Sequence, residues 1–150
     1  MSADVRELVA EAAARIGRAT SCSVLVGTLR GTLRGLHRMA GSDPRTVACD
    51  EPAVADRVGP CVLAMEQLTG VLVPDVTLET RWPAWGAAAT AAGFRSGASL
   101  PAYVQDGVVL ALNLHSELVD PWDAEALVLA DTYVQQLADA VRGHRFTTAR

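Results

Sequence analysis

The stretch Gly93-Phe94-Arg95-Ser96-Gly97-Ala98-Ser99-Leu100-Pro101-Ala102-Tyr103-Val104-Gln105-Asp106-Gly107-Val108-Val109-Leu110-Ala111-Leu112-Asn113-Leu114-His115-Ser116 decides the fold. Two apolar runs, Phe94 to Val104 and Val108 to Ser116, flank Asp106-Gly107, a dipeptide favoured where a tight turn needs positive φ. An antiparallel hairpin is therefore predicted. With a two-residue loop, Leu100 falls opposite Asn113 and Ala98 opposite His115. Side chains alternate along a strand, which puts Ser96, Asn113 and His115 on one face and Leu110, Leu112 and Leu114 on the other. Both faces are largely apolar, as in a sheet covered on both sides.

After this hairpin, Asp120 reads as a helix cap and Pro121 as the first helical position of the longest element, which runs to about Arg142. Leu127, Ala130, Val134, Leu137 and Val141 form one apolar stripe, and Ala126, Leu129, Tyr133 and Ala140 a second beside it. One stripe is expected on the sheet and the other against a partner. Before the hairpin, Trp82 to Ala92 reads as a small alanine-rich helix, and Val71-Leu72-Val73 as a short strand stopped by Pro74. Gly59-Pro60 opens a helix closing at Gly70, with Cys61, Ala64, Met65 and Leu68 as its buried stripe.

The amino-terminal half starts with an amphipathic helix from Ala3 to Ile16, buried through Val5, Leu8, Val9, Ala12 and Ile16 and stopped by Gly17. Ser21 to Leu29 then alternates as a strand, and the tandem Thr28-Leu29-Arg30-Gly31 and Thr32-Leu33-Arg34-Gly35 leads into a second strand reaching Met39. A four-residue repeat leaves that register open, because a slip of four keeps every side chain on its face. Ser42-Asp43-Pro44 reads as a helix opening, although Thr46-Val47-Ala48-Cys49 fits a short strand equally well.

The chain has 150 residues, half of them hydrophobic and 20% charged, enough to bury a core and too apolar for intrinsic disorder. One domain is expected over 1–150, with its core at about 18–142 and a short tail at 143–150. The formal charge of -4 argues against a nucleic-acid or anionic-membrane partner. Lysine is absent, so lysine bases and Schiff bases are excluded. No signal-like start or membrane-length apolar run is present, which makes a cytoplasmic location the expectation. Cys22, Cys49 and Cys61 lack CxxC spacing and suggest neither disulfides nor structural zinc.

The order helix, hairpin, helix, short strand, helix, Asp-Gly hairpin, long helix resembles the GAF domain, most closely actinobacterial GAF domains of the GAF-ANTAR type. The strings that carry the likeness are Ser42-Asp43-Pro44, Gly59-Pro60-Cys61, Val71-Leu72-Val73-Pro74-Asp75, Arg81-Trp82-Pro83, Gly93-Phe94-Arg95-Ser96 and Asp106-Gly107 leading to Ala111-Leu112-Asn113-Leu114-His115-Ser116. Val58 stands where the family commonly has a Gly-Glu pair, and His115 where tyrosine is common. The resemblance implies an α+β fold: a mostly antiparallel sheet of five or six strands, helices on both faces, and the first and last helices together on one face. It favours a helix at Thr46 to Cys49 and a ligand pocket under the middle segment. No ANTAR, kinase, cyclase or helix-turn-helix segment follows Arg142, so a signal is expected to pass to a separate output protein or across a homodimer through the terminal helices.

The expected ligand-binding residues are Trp82 and Trp85 on the helix that roofs the pocket, with Ser96, Asn113 and His115 supplying polar groups. Packing of both tryptophans in the core is the competing reading. Cys61, in the first turn of a helix, faces a dipole that favours a thiolate, yet its apolar stripe favours a buried thiol. Free methionine sulfoxide reductases also resemble this domain and use three cysteines. Cys49 and Cys61 fall loosely where two of theirs lie, but Ala87-Ala88-Ala89-Thr90 stands where the third belongs. His37, His115 and His144 lack metal-ligand spacing; haem ligation by His115 is a minor reading beside a packing role. Arg30, Arg34 and Arg38 read as a solvated face, and no phosphate-binding loop is present. The leading expectation is a non-enzymatic sensory domain that binds a small molecule, and the alternative is a ligand-free dimerisation module.

Overall fold

A computed structural model describes residues 4–142; Ala3, His144 and the tail at 143–150 lie outside the described residues. Helix α1 (Val5–Ile16) is capped by the Asp4 carboxylate, which accepts from the Arg6 amide at 3.1 Å. It buries the five residues expected from its spacing. Strands β1 (Thr20–Arg30) and β2 (Thr32–Gly41) follow, joined through Gly31 at φ +76°, a left-handed conformation that glycine adopts without a Cβ penalty. Register shifts between Val24 and Leu25 and between Thr28 and Leu29 break the ladder, so the tandem repeat is not paired as a regular hairpin.

Helices α2 (Arg45–Asp56) and α3 (Pro60–Gln67) come next, then β3 (Val71–Val73), a 3-10 turn at Val76–Leu78, α4 (Pro83–Ala91), β4 (Ser96–Gln105), β5 (Val108–Ser116) and α5 (Ala124–Val141). Thr46 to Cys49 is helical, as the family resemblance implies. The strands form one antiparallel five-stranded sheet in the order β2-β1-β5-β4-β3, so β5, from the Asp-Gly hairpin, is the central strand. The α+β class and the helices on both faces agree with the expectation.

One face carries α1 and α5, packed over Val24, Leu110, Leu112 and Leu114. Fully burying each such leucine contributes about 1.5–3 kcal/mol. The other face carries α2, α3 and α4 over two smaller clusters, one built on Leu25, Met65 and Ala111 and one on Val73, Trp85 and Phe94.

Four expectations are corrected. In the β4–β5 hairpin, Gln105 pairs with Val108 as a two-residue loop requires, but a bulge between Tyr103 and Gln105 moves the rest by one. Ser99, not Leu100, faces Asn113, and Gly97, not Ala98, faces His115. Helix α3 stops at Gln67, and Leu68 takes a left-handed C-cap and is half exposed, off the buried stripe. Helix α5 is capped by Asp123, whose carboxylate accepts from the Ala126 amide at 2.9 Å; Asp120 lies upstream at φ +46°. Between them Trp122 is buried, and its indole donates to Thr20 Oγ1 at 3.0 Å. Finally, the second stripe of α5 meets α1 of the same chain. Ala126, Tyr133 and Ala140 are buried there, and the Tyr133 hydroxyl bonds the α1 residues Arg15 and Glu11.

Candidate functional site

Four elements converge on the face opposite the terminal helices. Helix α2 turns Thr46, Cys49, Asp50 and Ala53 inward, an i, i+3, i+4, i+7 stripe with a carboxylate in it. Asp50 is 2% exposed, and three strands satisfy it. Ser23 Oγ of β1 donates to Oδ1 at 2.9 Å, Asn113 Nδ2 of β5 donates to Oδ1 at 3.3 Å, and Arg38 Nε of β2 donates to Oδ2 at 2.9 Å. Ser99 Oγ of β4 donates to Asn113 Oδ1 at 2.7 Å, and Arg38 also donates to Thr46 Oγ1 at 2.8 Å. Burial raises the Asp50 carboxyl to about 6, against the hydrogen bonds from Ser23, Arg38 and Asn113 that favour the charged form. Arg38 therefore does not belong to a solvated arginine face.

Beside this network lies an aromatic wall. Trp85 of α4 is buried, and two glycines lie against its ring, of which Gly97 makes room for it. A Cβ on Gly97 would sit 2.9 Å from Trp85 Cζ2, and one on Gly59, at φ +132°, 3.7 Å from Trp85 Cδ1. His115 lies between Trp85 and Phe94, with ring centroids at 6.2 and 5.1 Å. The Arg45 guanidinium sits 4.5 Å from the Phe94 centroid and is held by Asp43 and Glu117, each at 2.9 Å. His115 is 2% exposed, and its Nδ1 has no hydrogen-bond partner among the described residues. Burial pushes its imidazole down to about 4, so it is neutral at physiological pH.

Trp85, His115, Asn113, Asp50, Cys49 and Cys61 line a cleft closed by Ala53, Gly59, Pro60 and Ala98. Its volume, open mouth included, is about 260 Å³, below the ~300–1,000 Å³ of most ligand pockets. Its interior has room for about one water molecule.

Of the residues expected to bind ligand, Trp85, Asn113 and His115 come together. Ser96 does not: the bulge sends it to the opposite face, paired with Ser116, where its hydroxyl donates to the Leu118 carbonyl at 2.7 Å. Trp82 precedes α4 outside the lining, edge-on to Trp85 at 6.4 Å, with Arg81 over its ring. The central group missed from sequence is Asp50, whose place on the buried α2 stripe was the available signal.

All three cysteines are buried thiols. Desolvation pushes each up to about 12, Asp50 adding to the rise at Cys49 and Cys61. For Cys61 that outweighs the nearby Asn113 amide and helix N–H groups. Cys22 lies in the core under the terminal helices, across the sheet from the other two. Among the described residues, no group of three or more His, Cys, Asp or Glu side chains is arranged to hold a metal ion. No described helix is long and apolar enough to cross a membrane.

A central antiparallel sheet, paired terminal helices on one face and a roofed cleft on the other define the α+β architecture of the domain. The family model for the GAF domain matches residues 2–142, and the chain belongs to the GAF domain family. No relative is found among curated protein sequences. Among solved structures, the fold resembles the GAF domain region of a protein from Geobacter sulfurreducens PCA, at 17% identity and TM-score 0.67, over 93% of this chain and 91% of that one. It also resembles a phycoerythrobilin-bound GAF domain from a cyanobacterial phytochrome, at 17% identity and TM-score 0.64, over 92% of this chain and 83% of that one. A type II free methionine-R-sulfoxide reductase from Thermoplasma acidophilum aligns at 15% identity and TM-score 0.57, over 93% of this chain and 96% of that one. At such identities the likeness concerns the fold.

Proposed function

We propose that this chain is a non-enzymatic regulatory GAF domain that binds a small molecule in the cleft between Asp50, Trp85 and His115. The observation that carries the reading is His115 Nδ1, a buried polar atom without a partner among the described residues, at the wall of a cleft lined by Trp85. Unsatisfied groups of this kind cost about 1–3 kcal/mol in a fold, and such a cost is commonly retained where a ligand meets it. The string likeness to actinobacterial GAF domains of the GAF-ANTAR type supports a signalling role. Binding would reach the terminal helices through β5, which carries Asn113 and His115 on one face and Leu112 and Leu114 on the other.

The test is a thermal-shift screen against a metabolite and nucleotide library, followed by titration of hits into His115→Ala and Trp85→Ala proteins. Hits weakened at least tenfold by both variants support the reading; a folded protein with no hit opposes it. A second reading, an interaction module acting through a homodimer or another partner with its pocket closed, draws on the small cleft volume. Light scattering across a concentration series checks the homodimer, and a monomer throughout removes that form of it. The methionine sulfoxide reductase reading loses support, because Cys49 and Cys61 are held as thiols and Ala87 to Thr90 carries no cysteine.

A further inference from the structure

The polar groups of the cleft differ in charge, and the difference selects a ligand. Asp50 is the charged residue of the lining, and Arg38, which compensates it, is not part of that lining. Arg38 reaches the carboxylate from edge strand β2 and is tied to Thr46 as well. Among the described residues, Asp50 Oδ1 accepts from Ser23 and Asn113, whereas Oδ2 accepts from Arg38 alone and keeps a lone pair. His115, neutral, offers an unpartnered nitrogen and no positive charge. Trp85 supplies the ring face most attractive to a cation.

An anion has one apparent alternative anchor, the start of α3, where Gly59 provides no side-chain cap. There the amide N–H groups of Cys61 and Val62 lie against the Cys61 sulfur, and Asp50 is close enough to raise that thiol. An anion entering the cleft would meet a carboxylate at its wall and no free cation in the lining.

Building on the ligand-binding reading above, we propose that the cleft recognises a small planar nitrogen cation, of the amidinium or protonated N-heterocycle class. The Asp50 carboxylate accepts its N–H group and the Trp85 ring lies against its face. His115 Nδ1 supplies a second hydrogen-bonding position for the ligand.

Three isosteric probes separate charge from shape: acetamidine, acetamide and acetate, each titrated at matched ionic strength and pH 7. The readouts are the NMR signals of the Trp85 indole and the His115 ring. Acetamidine is expected to perturb both and to bind at least about tenfold tighter than acetamide, the gain of a charged over a neutral hydrogen bond. Acetate is expected to leave both signals in place. The groups facing Asp50 are Arg38 from β2, Ser23 from β1, Asn113 from β5, Cys61 from α3 and its neighbour Cys49. Asp50 is the one of these, His115 included, that changes charge between pH 7 and 5, so the preference for acetamidine should collapse over that interval. Asp50→Asn should remove it at pH 7, and the pH series on the unaltered protein gives the same answer if that variant fails to fold.

Equal binding of all three probes, tighter binding of acetate, or no perturbation by acetamidine overturns the proposal. A library hit that is anionic and still moves the Trp85 and His115 signals overturns the cationic class while leaving ligand binding intact. Absence of any cleft ligand removes both.

Discussion

Arg38 Nε meets the Asp50 carboxylate at 2.9 Å, pinning edge strand β2 to helix α2 across the face that carries the cleft. The Asp50 side chain is almost fully buried, whereas 27% of the Arg38 side chain remains exposed. Arg38→Ala should therefore destabilise the protein by about 2–3 kcal/mol at pH 7, below the 3–5 of a fully buried pair because part of the arginine is wet. Urea unfolding checks it. At pH 5 the loss should shrink, since the orphaned carboxyl can take a proton; an equal loss at both pH values would show that packing, not charge, is at work.

Two buried groups of the site should work against each other in acid. Asp50 is raised from 3.8 to about 6, so between those values the folded state holds a proton that the unfolded state lacks, and stability rises as pH falls. His115 is lowered from 6.5 to about 4, so there the unfolded state holds the extra proton and stability falls as pH falls. From about pH 6 to 4 the two slopes, each up to about 1.4 kcal/mol per pH unit, nearly cancel. Asp50→Asn should expose the falling limb and His115→Phe the rising one, each read as the difference from wild type by urea melts at several pH values. His115→Phe should also gain about 1 kcal/mol at pH 7 by removing the unpaired nitrogen, and lose ligand binding.

Gly97→Ala tests how closely the aromatic wall is fitted. Its methyl would fall 2.9 Å from Trp85 Cζ2 and 3.0 Å from Cη2, and a buried ring has little room to yield. A loss of about 1–3 kcal/mol is expected, with a shift in tryptophan emission. Gly17→Ala, at a site with open space but φ +68°, separates the steric clash from backbone strain, because it should cost stability without changing the emission.

The thiols should be silent in the native protein. With Cys22, Cys49 and Cys61 all pushed up to about 12, a thiol-specific disulfide reagent at pH 7.5 should label none of them until denaturant is added, when all three react. A stoichiometric fast phase in the native state would return weight to thiol chemistry.

The element order and the buried stripe of α1 were legible from spacing, because a 3.6-residue period survives any tertiary context that buries one face. Register was less so. One extra residue at the Tyr103–Gln105 bulge separates Ser96 from Asn113 and His115, and a bulge leaves no mark in an apolar run. Asp120-Pro121 imitates a capped helix start, yet the cap goes to Asp123 once Trp122 is buried. Arg38 reads as solvated because charged residues usually are; its meeting with Asp50 depends on the fold bringing α2 over β2.

Strand β5 is buried at every position, and its successive residues serve different compartments: Leu112 and Leu114 the terminal helices, Asn113 and His115 the cleft. Cleft and helices are thus separated by the thickness of one peptide backbone, with no intervening layer to deform. A displacement of Asn113 by even a fraction of an ångström has to be shared by the leucines on either side of it. In this domain the distance a message travels is that between neighbouring residues of a single strand.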